Sequence, residues 1–560
     1  MLKKFSFAVL GVCILILGYE LGQRIWYELS GILADDVLIY MAVARGILNG
    51  LTPYVDLFET KPPGIFLILA GSLWLTGGVM LAKVFHLLSL LGIGVLTVLP
   101  VWSAPALRQD SVQAPGCSGE SVHERWMMRG IAVVFAMLLV LYTAAMAGEL
   151  QVETFGAFFG IAAVMYFASH PSWQSFLCHG EVLCSEAKKP QIHTQKRLHL
   201  RVTQLLLTSL LLLLAIGTKE PFFLTTFAAA LLLMPLRELT VRFGIPLLIA
   251  GVLGAVALML LGWLIPYITI YLPHIANFHV PAHGSLLARS LSVHKVMQNL
   301  WDFSPFFLLV IAGLWVVVAT FYLLSSRRSS IYWGCVRPIA AFLLTIFAIS
   351  VGGDFYAHHF VFAVPVYVSL FWKYLSFDTF FYFPRVTLSD LPEADCIEVR
   401  HGGNKKTLRM TLPISVVLLL TTLFHARTPF QERLEQWRHG EEVYRDTAAL
   451  VDSALDQCGW DRYLHLVRKG GGIFAYTEHS PTGPVFTQYT RFMGFENSPF
   501  VEPFKDVILN VPLIVFEDLE TTHAKEVVRN YIRGQFSERP PECAQGFEQP
   551  TERYRVWFRK

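Results

Sequence analysis

Charge is what this sequence has least of. Lys, Arg, Asp and Glu make up 16% of its 560 residues and apolar residues 54%, whereas an ordinary globular chain is about one quarter charged. With a mean hydropathy of +0.49, too little charge remains to cover a water-facing surface, so lipid solvates much of the chain. Disorder is excluded by the apolar content, and a collagen-like or small disulfide-scaffold chain by composition. The formal net charge is only +3, and no basic tract is interleaved with aromatics, so nucleic acid is not an expected partner. No internal repeat at a fixed period is present.

Long apolar runs are abundant. They lie near 5–22, 83–102, 130–148, 151–169, 203–218, 221–236, 244–270, 303–324, 338–352, 358–375 and 411–425, which predicts about eleven membrane spans. The stretch 63–80 is either a further span or a helix lying in the interface. Lys3, Lys4, Arg108, Arg125, Lys188, Lys189, Arg237, Arg327, Arg328, Lys405 and Lys406 fall on one side of the eleven-span arrangement. That side is cytoplasmic by the positive-inside rule, which puts the amino terminus in the cytoplasm. Residues 1–22 resemble a signal peptide, but no small-x-small site precedes Tyr19, Glu20 and Leu21, so they are read as an uncleaved first span. The expected location is a multi-pass inner cell membrane.

The composition changes after the last apolar run. Residues 1–425 form the expected transmembrane domain, with a first outer loop at 23–83, and 426–560 an extracytoplasmic soluble domain. An amphipathic helix is predicted over 431–455, strands near 463–467, 473–476 and 513–516, and a helix over 523–533, which together describe an α/β domain. Of the eight cysteines, only Cys458 and Cys543 fall in this outer domain. They could be bridged or remain two thiols, since spacing alone does not decide. Cys178, His179 and Cys184 lack zinc-finger spacing and a second ligand pair.

Polar residues gather at the outer helix ends. Asp35 and Asp36 follow the first span, where two adjacent carboxylates suit a general base, a metal ligand or an acceptor clamp. They could equally cap the helix predicted from Val37 to Leu48. Lys61 precedes Pro62-Pro63 at a helix start, at the depth of lipid phosphates, where ordinary snorkelling to headgroups is the alternative. Glu149 and Glu153 occupy one outer turn, Lys219 and Glu220 another, and Asp354, Tyr356, His358 and His359 a third. A charge at the bilayer centre costs about 2.5–3.5 kcal/mol and less near the interface. Singly, each group has a helix-end or packing explanation, but their recurrence on one side indicates a polar cavity opening outward.

The run from Asp35 and Asp36 to Tyr40, the Gly50-x-x-Pro53-Tyr54-x-Asp56 stretch and Lys61-Pro62-Pro63-Gly64 resemble the first outer loop of GT-C membrane glycosyltransferases. The similarity is greatest to the bacterial branch related to protein O-mannosyltransferases and lipid A aminoarabinose transferases. Further matches are Val152-Glu153-Thr154-Phe155, the Gly217-Thr218-Lys219 turn, and Gly352 to Phe360 with Pro365. The resemblance covers residues 1 to about 425. It implies that Asp35 is the essential carboxylate, that Lys61 lies near a carrier-lipid phosphate and that Glu149 or Glu153 supplies a second outer acid. It also makes 63–80 a helix along the membrane rather than a span. Asp36 stands where relatives often have Glu, and His359 where many have Tyr.

The reading reached from sequence is an α-helical polytopic membrane protein with a C-terminal extracytoplasmic α/β domain. It would be an inverting glycosyltransferase moving a sugar from a polyprenyl-phosphate donor to a lipid, glycan or protein acceptor. The catalytic candidates are Asp35, Asp36, Glu149 and Glu153; the substrate-binding candidates are Tyr54, Asp56, Lys61, Lys219, Tyr356, His358 and His359. No cofactor is required, and a divalent metal ion is left open. The alternative is a transporter or flippase of a lipid-linked sugar or related anion, for which buried charges would mark the substrate path.

Overall fold

The computed structural model describes residues 2–29, 35–103, 122–147, 150–168, 192–234, 236–279, 285–291, 298, 328–351, 357–374, 431–466, 472–481, 509–516, 526–550 and 554–560. Its main helices are α1 (Leu2–Leu29), α2 (Asp35–Leu48), α3 (Gly64–Thr76), α4 (Met80–Ser103), α5 (Val122–Ala147), α6 (Val152–Ala168), α7 (Ile192–Thr218), α8 (Phe222–Leu233), α9 (Ile245–Leu260), α10 (Arg328–Val351) and α11 (Val364–Tyr374). The C-terminal part adds α12 (Gln431–Cys458), α13 (Gly472–Tyr476) and α14 (Glu526–Gln535).

Among the described residues, segments within α1, α4 and α5 and a stretch over Thr240–Leu260 are long and apolar enough to cross a membrane. Leu248 and Leu260 on α9 are 70% and 80% exposed in the isolated chain. A row of such side chains is stable in hydrocarbon and an aggregation hazard in water, so this surface is a lipid surface. The protein is therefore a mostly helical membrane protein. Nine of the eleven predicted apolar runs fall on described helices; 303–324 and 411–425 lie outside the described residues.

Three boundaries differ from the sequence reading. The outer loop expected at 23–83 is shorter, because α1 runs on to Leu29 and α4 begins at Met80, taking in Lys83. The apolar run at 244–270 is not one helix. It stops at Leu260, Gly262 takes a left-handed φ of 74°, and the chain resumes in π-helical turns at Tyr267–Tyr271 and Ile275–His279. The run at 358–375 divides into a 3-10 segment, Ala357–Ala363, and α11. Pro365 cannot donate the amide bond that would carry an α-helix through this point. Phe360 to Val364 are fully buried, so this segment sits inside the bundle.

The 13 residues of α3 span about 20 Å, short of the ~30 Å hydrocarbon core, which fits a helix along the interface. Pro63 precedes α3, and Gly77 closes it in a left-handed cap with its N–H 2.8 Å from the Leu73 carbonyl.

The C-terminal strands are β1 (Arg462–Leu466), β2 (Ser480–Pro481), β3 (Leu513–Phe516), β4 (Phe536–Ser537) and β5 (Arg555–Arg559), in the order β2-β1-β3-β5-β4. β1 pairs in parallel with β2 and β3, whereas β5 is antiparallel to β3 and β4. All four residues of β3 are buried, which matches its uninterrupted apolar run. The strand expected at 473–476 is instead the helix α13. Ile473 and Phe474 within it and Thr477 just after it are buried, a helical spacing that a four-residue apolar run does not reveal. Cys458, ending α12, is bridged to Cys543 with a Cα separation of 5.1 Å.

Candidate active site

The site forms where α2, the 49–63 loop, α6 and the α7–α8 turn meet. Asp35 and Asp36 open α2, where a carboxylate is favoured by the helix dipole. Asp35's side chain lies outside the described residues. Asp36 is half-buried, and Gln151, just before α6, donates from Nε2 to Asp36 Oδ2 at 3.4 Å. One turn into α2, Tyr40 is buried and its hydroxyl has no hydrogen-bond partner among the described residues.

The loop after α2 is held by its own hydrogen bonds. Asp56 Oδ2 accepts from the Thr52 amide at 2.7 Å, and Tyr54, in a left-handed conformation with φ 69°, donates its hydroxyl to the Lys61 carbonyl at 3.0 Å. Asp56 is exposed and shapes this turn, and it is not among the charges that act on Lys61. Tyr54 is buried and packs on Tyr271 with ring centroids 4.8 Å apart. Its phenol therefore positions the Lys61 backbone.

Lys61 and Lys219 come from motifs far apart in sequence. They meet because α3 starts against the end of α7: a Cβ on Gly64 would run into the Gly217 carbonyl. The missing side chain at Gly64 thus lets the start of α3 approach the Gly217 carbonyl, and the two lysines come close enough to feel one another's charge. Lys61 Nζ also lies 5.6 Å from the Tyr40 ring centroid. Facing the lysines is Glu153 in the first turn of α6, fully buried, with Oε1 3.6 Å from Lys219 Nζ. Neither Glu153 oxygen has a hydrogen-bond partner among the described residues.

The two lysines are not equivalent. Burial pulls both down, but Glu59, Asp36 and Glu153 more than offset it for Lys61, whose pKa lies above the ordinary lysine value. For Lys219, burial and the neighbouring Lys61 charge outweigh Glu153, Glu220 and Glu59, leaving its pKa lowered to about 8. Lys61 is therefore a fixed cation, whereas Lys219 loses its proton in a mildly alkaline medium.

His358 is within electrostatic range of Glu153, Lys61, Lys219 and Asp36 and so belongs to the group. His359 is buried and stacked on Phe362 at 5.7 Å, a packing position. Glu149, Asp354 and Tyr356 lie outside the described residues. Among the described residues no three His, Cys, Asp or Glu side chains gather as a metal-binding group.

Gln151 and Glu59 escaped the sequence reading as site residues, and each lies within a few residues of a recognised motif. Glu220, noted in sequence beside Lys219, accepts from the Tyr271 hydroxyl at 2.6 Å through Oε1, and Tyr40, noted only as part of the first-loop motif, joins the site.

No family model and no curated relative matches this chain. Among solved structures, the crystal structure of ArnT from Cupriavidus metallidurans in the apo state is similar, at 14% sequence identity over 98% of each chain with a TM-score of 0.48.

Proposed function

We propose that the protein is a GT-C-type membrane glycosyltransferase that moves a sugar from a polyprenyl-phosphate donor to an acceptor on the outer face of the membrane. The observation that carries this reading is the juxtaposition of Lys61 and Lys219 with Glu153 and Asp36 at the ends of apolar helices. Two cations on a short interfacial loop and an adjacent turn suit a lipid phosphate, which lies at that depth. Carboxylates on the facing helices suit a hydroxyl acceptor.

In the transfer, the acceptor oxygen bonds to the anomeric carbon as the bond from that carbon to the phosphate oxygen breaks. The acceptor proton passes to a carboxylate at the start of α2, Asp35 by the motif resemblance, and polyprenyl phosphate departs. Lys61, helped by Lys219 when protonated, stabilises the charge growing on the phosphate. Attack opposite the leaving group inverts the anomeric centre. In this arrangement the amino terminus is cytoplasmic, and residues 426–560 lie outside with the site.

The test is a comparison of envelope glycans and lipid-linked sugars between a deletion strain and its complemented parent. The proposal expects one sugar missing from a surface glycan and its polyprenyl-phosphate donor accumulating. Unchanged glycans with unchanged donor pools would overturn it.

A further inference from the structure

A second buried polar cluster lies beside the site, on the opposite flank of the first turn of α6. Glu28 near the end of α1, His86 in α4 and Thr154 in α6 are all fully or almost fully removed from solvent. Arg24 donates to Glu28 Oε1 at 2.7 Å. Glu28 Oε2 faces His86 Nδ1 at 3.3 Å, an electrostatic contact looser than a hydrogen bond. On the other side of the imidazole, Nε2 lies 3.0 Å from Thr154 Oγ1. Lys83, also fully buried, is within electrostatic range of Glu28.

These contacts set the direction of each bond. A carboxylate paired with Arg24 presents only acceptors, so the imidazole proton is favoured on Nδ1. In the uncharged tautomer with its proton there, Nε2 carries the lone pair to which the Thr154 hydroxyl can donate. The imidazole is also held edge-on to Phe155, centroids 5.4 Å apart, while Phe85 packs on Phe155 at 5.1 Å. The side chain at position 154 is thereby fixed to α4, and through His86 to α1.

Glu153 and Thr154 are adjacent on a helix, about 100° apart around its axis. Anchoring Thr154 toward α4 therefore fixes the rotation of the first turn of α6 and points Glu153 at Lys219. Among the described residues no hydrogen bond holds the Glu153 carboxylate.

We propose that Glu28, His86 and Thr154 form a carboxylate–imidazole–hydroxyl relay of positioning residues that aims Glu153 at the lysine pair. It rests on the reading of the site as a transferase centre for its consequence in catalysis, but not for the geometry itself. The relay touches no reacting atom and moves no proton in the transfer.

The test has two arms, both on the full-length protein in lipid vesicles. The first follows the pH dependence of Lys219 acylation by mass spectrometry. Thr154→Val keeps the shape of the side chain and removes the hydroxyl; it should lower the apparent pKa of Lys219 by about half a unit or more, because the carboxylate that sustains its charge is turned away. Thr154→Ser should restore the parent profile, and Glu28→Gln, which no longer dictates the imidazole tautomer, should act like Thr154→Val. The second arm reads transfer: Thr154→Val should lower kcat about tenfold or more, leave donor KM within about twofold, and be rescued by Thr154→Ser.

A Lys219 profile unchanged in Thr154→Val overturns the inference whatever the activity. A Thr154→Ser variant as impaired as Thr154→Val overturns it too, since the hydroxyl would then not be the operative group. Should the parent protein show no transfer, the proposed function fails while the acylation arm still decides the relay.

Discussion

The start of α6 and the knot around Thr477 in the C-terminal part treat buried polar groups in opposite ways. In the knot, Asp452 accepts from the Glu478 and His479 amides at 2.8 and 3.2 Å and faces His479 Nδ1 at 2.9 Å. Thr477 Oγ1 lies 2.8 Å from the Tyr463 hydroxyl, and the Thr477 carbonyl accepts from Arg45 of α2 at 2.9 Å. Each of these polar contacts has a partner, as a segment that only needs to be stable requires. At α6, among the described residues, both Glu153 oxygens lack a hydrogen bond, the Tyr40 hydroxyl does too, and two lysines lie close enough to feel each other's charge. A fold tolerates that cost where a substrate brings the missing charge and hydrogen bonds. The helix α2 joins the two regions, with Asp36 and Tyr40 toward one end and Arg45 at the other.

If that contrast is one of function against stability, carboxylate substitutions at the site should be the most damaging to activity. Asp35→Asn should reduce transfer by about 10²–10⁴-fold, because an amide keeps the shape but accepts no proton. Thermal unfolding in detergent should stay close to that of the parent. Asp36→Asn is the control, and if it proves the more damaging the two roles are exchanged.

Next in size is the phosphate cation. Lys61→Met should lower kcat/KM for a lipid-linked donor by about 10²-fold, and Lys61→Arg should recover part of it. An equal loss with a soluble donor that lacks the phosphate would break the assignment.

The unequal lysines predict a pH dependence of moderate size. Lys219 is protonated below its pKa of about 8 and neutral above it, so the cationic help it gives is complete at lower pH and lost as pH rises through 8. Rate profiles should show an alkaline limb near that value, and Lys219→Arg should remove it, since guanidinium stays charged.

The smallest expected effect on activity comes from the other side of the comparison. Replacing both Cys458 and Cys543 opens a loop closed across 85 residues, which in the chain-entropy model removes up to about 4–5 kcal/mol from the C-terminal domain. Protease resistance of residues 431–560 should fall while most transfer activity is retained, as measured on the same vesicles. A collapse of activity with an intact domain would show that the knot serves the chemistry as well.

Legibility in the sequence followed the range of the interactions. Long apolar runs gave α1, α4 and α5 because lipid imposes a composition over about twenty residues. β1 and β3 were readable from apolar segments bounded by turn and charged residues, whereas α13 was mistaken for a strand because four residues hold no period. Lys61 and Lys219 were each noticed through their local motif, but their meeting depends on Gly64 and Gly217 touching, a contact between segments over 150 positions apart. Asp56 is legible through its signature, and its carboxylate accepts from the Thr52 amide in the turn. Glu28 and His86 carry no motif and sit on different helices, α1 and α4, so only the third dimension shows that they face one another.

The most direct test of transfer is the fate of the donor in vesicles containing purified full-length protein, a polyprenyl-phosphate sugar and an envelope acceptor fraction. The account predicts sugar incorporated into the acceptor with one free polyprenyl phosphate released per transfer, and neither product from Asp35→Asn. Movement of intact donor between leaflets with no polyprenyl phosphate released would contradict it and identify a transporter instead.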